Sequence, residues 1–295
     1  MSLIVASILV LMFLNLVLGS VSIPLKSVWN IICGLGDEPV TWQNIVWKSR
    51  LPQALTALVA GAGLAISGLQ MQTVFRNPLA GPSVLGISSG ASMGVAFVVL
   101  LSGSLGGVAL SKLGFMGEIA LSIAAVIGSL SVMALIVYVS QKVKGNVTLL
   151  IIGVMIGYVA NAVIGVLKFF SVEEDIRAYV IWGLGSFSRV SGNQMMLFVA
   201  IMAILIPLSF LLIKTLNLML LGDGYARNLG LNIKRARLLV ITSAGVLTAI
   251  VTAYCGPVIF LGLAVPHPLP LVIALPGGQA AMQNRHLAAE VGGKD

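Results

Sequence analysis

The chain alternates long apolar runs with short polar breaks. The runs fall at 1–21, 51–75, 86–110, 117–140, 147–167, 194–213 and 238–254, and a shorter one at 257–266 follows Gly256-Pro257. A helix rises about 1.5 Å per residue, so about twenty apolar residues cross a bilayer core of about 30 Å. The pattern predicts an all-α fold: a polytopic transmembrane helical bundle. No Lys, Arg, Asp or Glu lies deep inside a run, and Glu118 and Arg237 sit near ends. A proton- or sodium-coupled carrier usually needs an ionisable ligand within the membrane, so this absence counts against that class, although sites built from backbone carbonyls stay open. The first run lacks a positively charged leader and further spans follow, which favours an uncleaved first helix over a signal peptide.

Composition agrees with the pattern. The 295 residues are 58% hydrophobic and 9% charged, with a mean hydropathy of +1.07. Soluble domains carry about 25% charged residues, so most of this chain faces lipid or other apolar helices. Net charge is +8. In a soluble protein that would raise nucleic acid as a partner; here basic loops beside spans account for it, and no basic, aromatic-interleaved patch points to nucleic acid. Cys33 and Cys255 lie far apart without metal-type spacing. No metal site and no cofactor are expected.

The chain is organised around residues 50–94. Arg50-Leu51-Pro52 opens the run 51–75, whose small residues Gly61, Gly63, Ala65, Ser67 and Gly68 let a neighbouring backbone approach. Arg76-Asn77-Pro78 closes it, because charge and proline halt the helix. Gly86, Gly90 and Gly94 then recur every four residues, along one helical face. By spacing alone this is a pair of tightly packed helices. In the fifth run Gly153, Gly157, Asn161 and Gly165 repeat the four-residue spacing. That stripe is either a close helix contact bridged by Asn161 or the wall of a translocation path.

The stretch resembles the signature region of the FecCD-type permeases, the membrane subunits of ABC importers for iron-siderophores, haem and cobalamin. The likeness rests on RLP at 50–52, GxxLAxSG ending at Gly68, and FRNPLAGPSVLGISSGA over 75–91, with Pro52, Asn77 and Pro78 in register. It continues in WGLGSF at 182–187 and in GPVIFLGLAVPH at 256–267, which carries Gly256, Pro257, Gly262, Pro266 and His267. The resemblance implies the type II importer permease fold, with about eight of ten family helices present. It implies a homodimer of permeases, an ATPase subunit, a periplasmic or lipid-anchored substrate-binding protein, and a bacterial inner membrane with its lipid. It also implies that the fifth helix lines the central path. The permease itself is not an enzyme; it alternates access while ATP is hydrolysed on a separate chain. In keeping with that, no phosphate-binding GxxxxGK[ST] loop occurs here.

Orientation follows from the same source. With the amino terminus cytoplasmic, eight basic residues (Arg76, Lys142, Lys144, Lys214, Arg227, Lys234, Arg235, Arg237) face in and seven (Lys26, Lys48, Arg50, Lys112, Lys168, Arg177, Arg189) face out. That difference decides nothing, and the family topology sets the choice. The outer segment 22–49 then holds Trp29, Trp42 and Trp47 at the interface, and Glu173-Glu174-Asp175 starts a solvated outer segment.

Residues 215–237 form the longest polar, glycine-punctuated stretch between runs. A stop-transfer loop anchored by basic residues explains the charge. It does not explain a short helix with Asp223 as its cap and Gly230 as its end. The stretch is similar to the family's GxxxARxLGxxxxxxR segment, which forms the coupling helices on the ATPase. The resemblance therefore places Gly222, Asp223, Ala226, Arg227, Leu229, Gly230 and Arg237 at the ATPase contact. It likewise matches Arg50 to an arginine that pairs with a glutamate of the binding protein; lipid anchoring is the other reading of that residue. Many members have a second arginine three residues on, where this chain has Gln53.

After His267 the likeness stops. PLPLVIALPGGQAAMQNRHLAAEVGGKD is rich in Pro, Gly and Ala and too short for another span. The expectation is a permease domain over 1–267 and an aberrant tail over 268–295, as a frameshifted or truncated gene product would give. Three functions follow. The favoured one is an ABC importer permease for iron-siderophore complexes, with haem or cobalamin as further cargoes; the others are an ion-coupled secondary transporter and a non-functional remnant.

Overall fold

The computed structural model describes residues 2–35, 38–104, 115–143, 145–190 and 192–265. Every regular element among them is a helix: α1 Ser2–Val17, α2 Leu25–Cys33, α3 Val40–Ile45, α4 Leu51–Phe75, α5 Ile87–Ser104, α6 Phe115–Lys142 and α7 Asn146–Phe169, then α8 Glu173–Gly183, α9 Gly192–Phe210, α10 Ile213–Leu220, α11 Asp223–Asn228, α12 Ile233–Cys255 and α13 Leu261–Ala264. Among the described residues four continuous helices are long and apolar enough to cross a membrane: Val40–Phe75, Met116–Lys142, Val147–Phe169 and Ile233–Cys255. The chain is a multi-pass membrane protein.

Three expectations change in detail. The outer segment 22–49 is largely helical, and α3 runs into α4 through a π-helical turn at Val46–Arg50. Pro52 explains that turn: it has no N–H to give Lys48, and the Leu51 N–H reaches back five residues to Val46. The run 194–213 does not stay straight; α9 and α10 meet at a 46° bend, just past Pro207 inside α9. Among the described residues of the run 257–266, helix is confined to Leu261–Ala264.

Hydrogen bonds sort the helix ends into two groups. At one end Arg50 meets the end of α1, Ser171 donates to the Leu100 carbonyl at 2.9 Å, Gln194 donates to Glu118 at 2.9 Å, and the Ser186 N–H donates to the Cys255 carbonyl at 2.7 Å. At the other end Arg76 meets Asp223. Spans thus run up and down in alternation, as short connections between helices require.

The centre of the bundle is α12. Within its span 67% is buried inside the chain, against 22% for α7. Ser67 of α4 donates to the Ala244 carbonyl at 2.8 Å and lies 2.8 Å from Thr248 Oγ1; Gln70 Nε2 reaches Ser243 at 3.1 Å. Small polar side chains bonded across helices replace the hydrophobic effect, which does not drive association between helices in lipid. Two apolar clusters flank this seam. One includes Trp182, Phe198, Met202 and Tyr254; the other includes Met71, Leu85, Ile136, Leu216, Met219 and Ile241.

Candidate functional site

The glycine stripe of α5 is a packing surface. A Cβ on Gly90 would lie 2.6 Å from the Gly128 carbonyl oxygen, and one on Gly94 would run into the Ala124 carbonyl of α6. The two backbones therefore touch where no side chain fits. Gly86 ends a short 3-10 turn at Pro82–Leu85 with φ 76°, and its Cβ position lies 2.9 Å from the Gly153 carbonyl.

The α7 stripe packs along only part of its length, and Asn161 bridges no helix contact. Gly153 packs against Val84 and Leu85, and the Cβ position of Gly157 is 3.3 Å from Ser89 Oγ. Asn161 is exposed, and nothing lies within 4 Å of the Gly165 Cβ position. Beside them Tyr158 is 67% exposed, with Ile151, Met155, Val159 and Val166 also open. The lower half of the stripe holds α5 against α7, and the upper half faces out of the chain. Between α6 and α7 a cleft of about 540 Å³ is lined by Met93, Ser131, Leu135, Met155 and Val159, among others.

The polar stretch after α9 folds as a helical hairpin. α10 buries Leu216 and Met219; Gly222, at φ 104°, turns the chain, and α11 follows. Leu229 caps α11, and the next two N–H groups close it: Gly230 donates to Arg227 at 2.9 Å and Leu231 to Ala226 at 2.9 Å. This double bond pattern needs a left-handed residue, which is Gly230 at φ 84°. Asp223 does not cap the helix as expected. Gly222 is the capping residue, without a side-chain bond, and the Asp223 carboxylate instead pairs with Arg76. Arg237 lies in α12 rather than in the loop; its Nε is enclosed without a partner.

Ala226 is the fully buried anchor of α11, while Tyr225 is 72% and Leu229 61% exposed. Arg227 is exposed between them, and Leu220 and Leu221 extend the apolar surface. Apolar patches rimmed by charge are surfaces of the kind that protein or membrane contacts use.

Arg50 sits otherwise than an exposed docking cation or a lipid anchor requires. It is 5% exposed. Its Nη1 donates to the carbonyls of Leu16 (2.7 Å) and Val17 (2.8 Å) and its Nη2 to that of Val21. The last carbonyls of a helix have no partner within it, and α1 takes them from this guanidinium. Among the described residues Lys26, Lys48 and Arg177 are the exposed cations at this end. Nearby, Lys168 lies over the Tyr179 ring at 4.9 Å, and burial pushes the Tyr179 phenol up from its ordinary value, against a hydrogen bond with Ser92. Burial also pulls the Arg189 guanidinium down, with Glu118 opposing.

Other motif residues brace loops. Asn77 Oδ1 accepts the Leu79 N–H at 2.9 Å, turning the chain beside Pro78. Gly256, at φ 79°, ends α12 where a Cβ would meet the Trp182 carbonyl at 2.8 Å; the Pro257 carbonyl lies 3.3 Å from the Gly185 Cβ position. A Cβ on Gly262 would lie 3.2 Å from the Leu64 carbonyl oxygen and from the Pro82 ring. Pro266, His267 and the expected tail lie outside the described residues. Cys33 and Cys255 are free thiols. Among the described residues no group of three or more His, Cys, Asp or Glu is placed to hold a metal.

The described residues thus form a bundle of membrane-sized apolar helices, packed on glycine seams and carrying an exposed helical hairpin. The FecCD transport family profile matches residues 7–277, and the chain belongs to that family. It is 33% identical over 252 residues to the hemin transport system permease protein HmuU of Yersinia pestis, covering 85% of this chain and 72% of that one. It is 36% identical over 256 residues to the vitamin B12 import system permease protein BtuC of Serratia proteamaculans, covering 84% and 73%. A solved metal-chelate type ABC transporter in an inward-facing conformation superposes with a TM-score of 0.73 at 27% identity, over 90% of this chain and 79% of that one. The chain is an ABC importer permease, a transport subunit and not a catalytic enzyme.

Proposed function

We propose that this permease moves a large organic chelate of a transition metal into the bacterial cytoplasm. The iron-siderophore complex is the proposed cargo, and the haem and cobalamin of the relatives' names belong to the same chemical class. A binding protein delivers the chelate outside, two permease copies enclose the path, and an ATPase on the inner face drives alternating access. The path runs along the outward-facing part of α7, where Tyr158 and Asn161 present polar groups without charge. The binding protein docks on the exposed cations Lys26, Lys48 and Arg177, while Arg50 holds the surface in shape beneath them.

One observation carries this reading: the α10–α11 hairpin anchors itself by Ala226 and leaves Tyr225 and Leu229 open. A short rigid helix held this way can pass a push from a closing nucleotide dimer to the spans on either side. The test is co-purification of the ATPase from the inner membrane. Tyr225→Asp and Arg227→Glu are expected to lower the bound ATPase severalfold while the permease stays in the membrane at parental amount. ATPase retention equal to the parent in both variants rejects the contact. Cargo uptake that survives ATP depletion and collapses with an ionophore rejects the ATP-driven reading.

A further inference from the structure

The hairpin is fastened at more than its apolar anchors. Arg76, the residue after α4, reaches across to it from the inner end of that helix. Its Nη2 donates to Asp223 Oδ1 in the first turn of α11 and lies 3.5 Å from the Met219 carbonyl in the last turn of α10. One side chain therefore touches both arms of the hairpin. Its backbone is unusual as well: among the described residues Arg76 is the non-glycine residue with positive φ, at 48°. Glycine adopts that conformation freely, so an arginine here holds a strained backbone while presenting its guanidinium. Such strain persists where the surroundings enforce it, as at switch regions.

From Arg76 the connection continues into the core. Gln72, one turn back, donates to the Leu263 carbonyl at 3.3 Å. Further along the same helix Gln70 and Ser67 bond α12. A displacement of the hairpin that reaches Arg76 thus reaches α4, α12 and the segment after it. The two partners are 48% and 47% exposed. Exposed pairs contribute little to stability, so breaking this one leaves the bundle folded and is read in motion.

We propose that the Arg76–Asp223 ion pair is the linkage that carries movement of the α10–α11 hairpin into α4 and the spans, a positioning contact of the transport cycle. The proposal rests on the hairpin being the ATPase contact. The competing route is apolar, through Leu216 and Met219, and would work without the pair.

The test uses the full permease–ATPase complex in proteoliposomes, with Cys33→Ser removing the exposed thiol and Asn161→Cys on α7 as reporter. Labelling by a water-soluble maleimide is compared without nucleotide and with ATP plus vanadate. In the parent the rate is expected to differ about tenfold between the two states, the scale of an ordinary coupling between sites. Arg76→Glu and Arg76→Gly, the second of which keeps the left-handed turn, are expected to retain the ATPase and lose that difference. The swap Arg76→Glu with Asp223→Arg is expected to recover most of it, which a merely structural role for either residue would not produce. A parental difference in Arg76→Glu overturns the linkage while leaving the hairpin reading intact, as does a parent in which nucleotide leaves α7 labelling unchanged. Loss of the ATPase in Arg76→Glu, unrescued by the swap, overturns it in favour of a docking role. A parent chain that binds no ATPase overturns the hairpin reading and this proposal with it.

Discussion

Single residues differ here chiefly in what stands opposite them. Gly90 and Gly165 lie on helical stripes of the same spacing, yet one meets the Gly128 carbonyl and the other meets open space. Gly90→Leu forces α5 and α6 apart, and overpacking of this kind costs roughly 1–3 kcal/mol. A lowered thermal midpoint in detergent is therefore expected for Gly90→Leu, and an unchanged midpoint for Gly165→Leu. Equal midpoints for Gly90→Leu and the parent would place that face toward lipid. The four-residue repeat was legible in the sequence because helical geometry puts such positions on one side. Which side faces a neighbour was not, since that depends on the partner helix: Gly128, the residue facing Gly90, belongs to no motif read from the chain.

Elements show the same division. The spans were legible because about twenty apolar residues leave the backbone no choice but to bond within itself as a helix, and α4 ends at Phe75, where the charge and proline at 76–78 put it; its start is not a free helix end, since α3 continues into it through the π-helical turn at Val46–Arg50. The short helix α11 was legible from Gly222 and Gly230, whereas α10, which makes it a hairpin, was not. What the sequence hid were polar partners at long range. Arg50 finds the end of α1 some thirty residues earlier, and Arg76 finds Asp223 147 residues later; no local pattern announces either. Arg50 makes the stronger prediction. A hydrogen bond to a charged group contributes roughly 1.5–3 kcal/mol, and Arg50→Met also leaves the last carbonyls of α1 without a donor. Loss of stability of at least that order is expected in thermal unfolding, with increased protease cleavage near residues 18–24. Because the guanidinium is buried, salt screens it weakly, so raising ionic strength in the parent is not expected to reproduce the effect. A parental midpoint for Arg50→Met would mean that α1 is held by the Leu16, Ile23, Val28 and Val46 cluster alone.

At the scale of the whole molecule, α9 and α7 each leave one side of the bundle with exposed apolar residues. On α9 the open residues include Met196, Leu197, Ile204 and Leu208, all of which lipid accepts. On α7 the open face mixes Ile151, Met155 and Val159 with Tyr158 and Asn161. An amide facing hydrocarbon without a partner costs several kcal/mol, so a face carrying Asn161 is expected to meet water or a second protein surface. The two sides therefore separate by chemistry although neither is covered in the single chain. Cysteine accessibility checks this. In a Cys33→Ser background the remaining Cys255 is buried, and it leaves little reaction with a membrane-impermeant maleimide. Tyr158→Cys and Asn161→Cys are expected to label in the assembled transporter in at least one nucleotide state, at rates that change when ATP and vanadate are added. Ile204→Cys on α9 is expected to stay unlabelled by that reagent in every state and to react only with a lipid-soluble one. Labelling of Ile204→Cys at the rate of Asn161→Cys would remove the distinction between the two sides. Protection of both α7 positions in every state would make that face a permanent contact between copies, and the path would then have to lie elsewhere in the assembly.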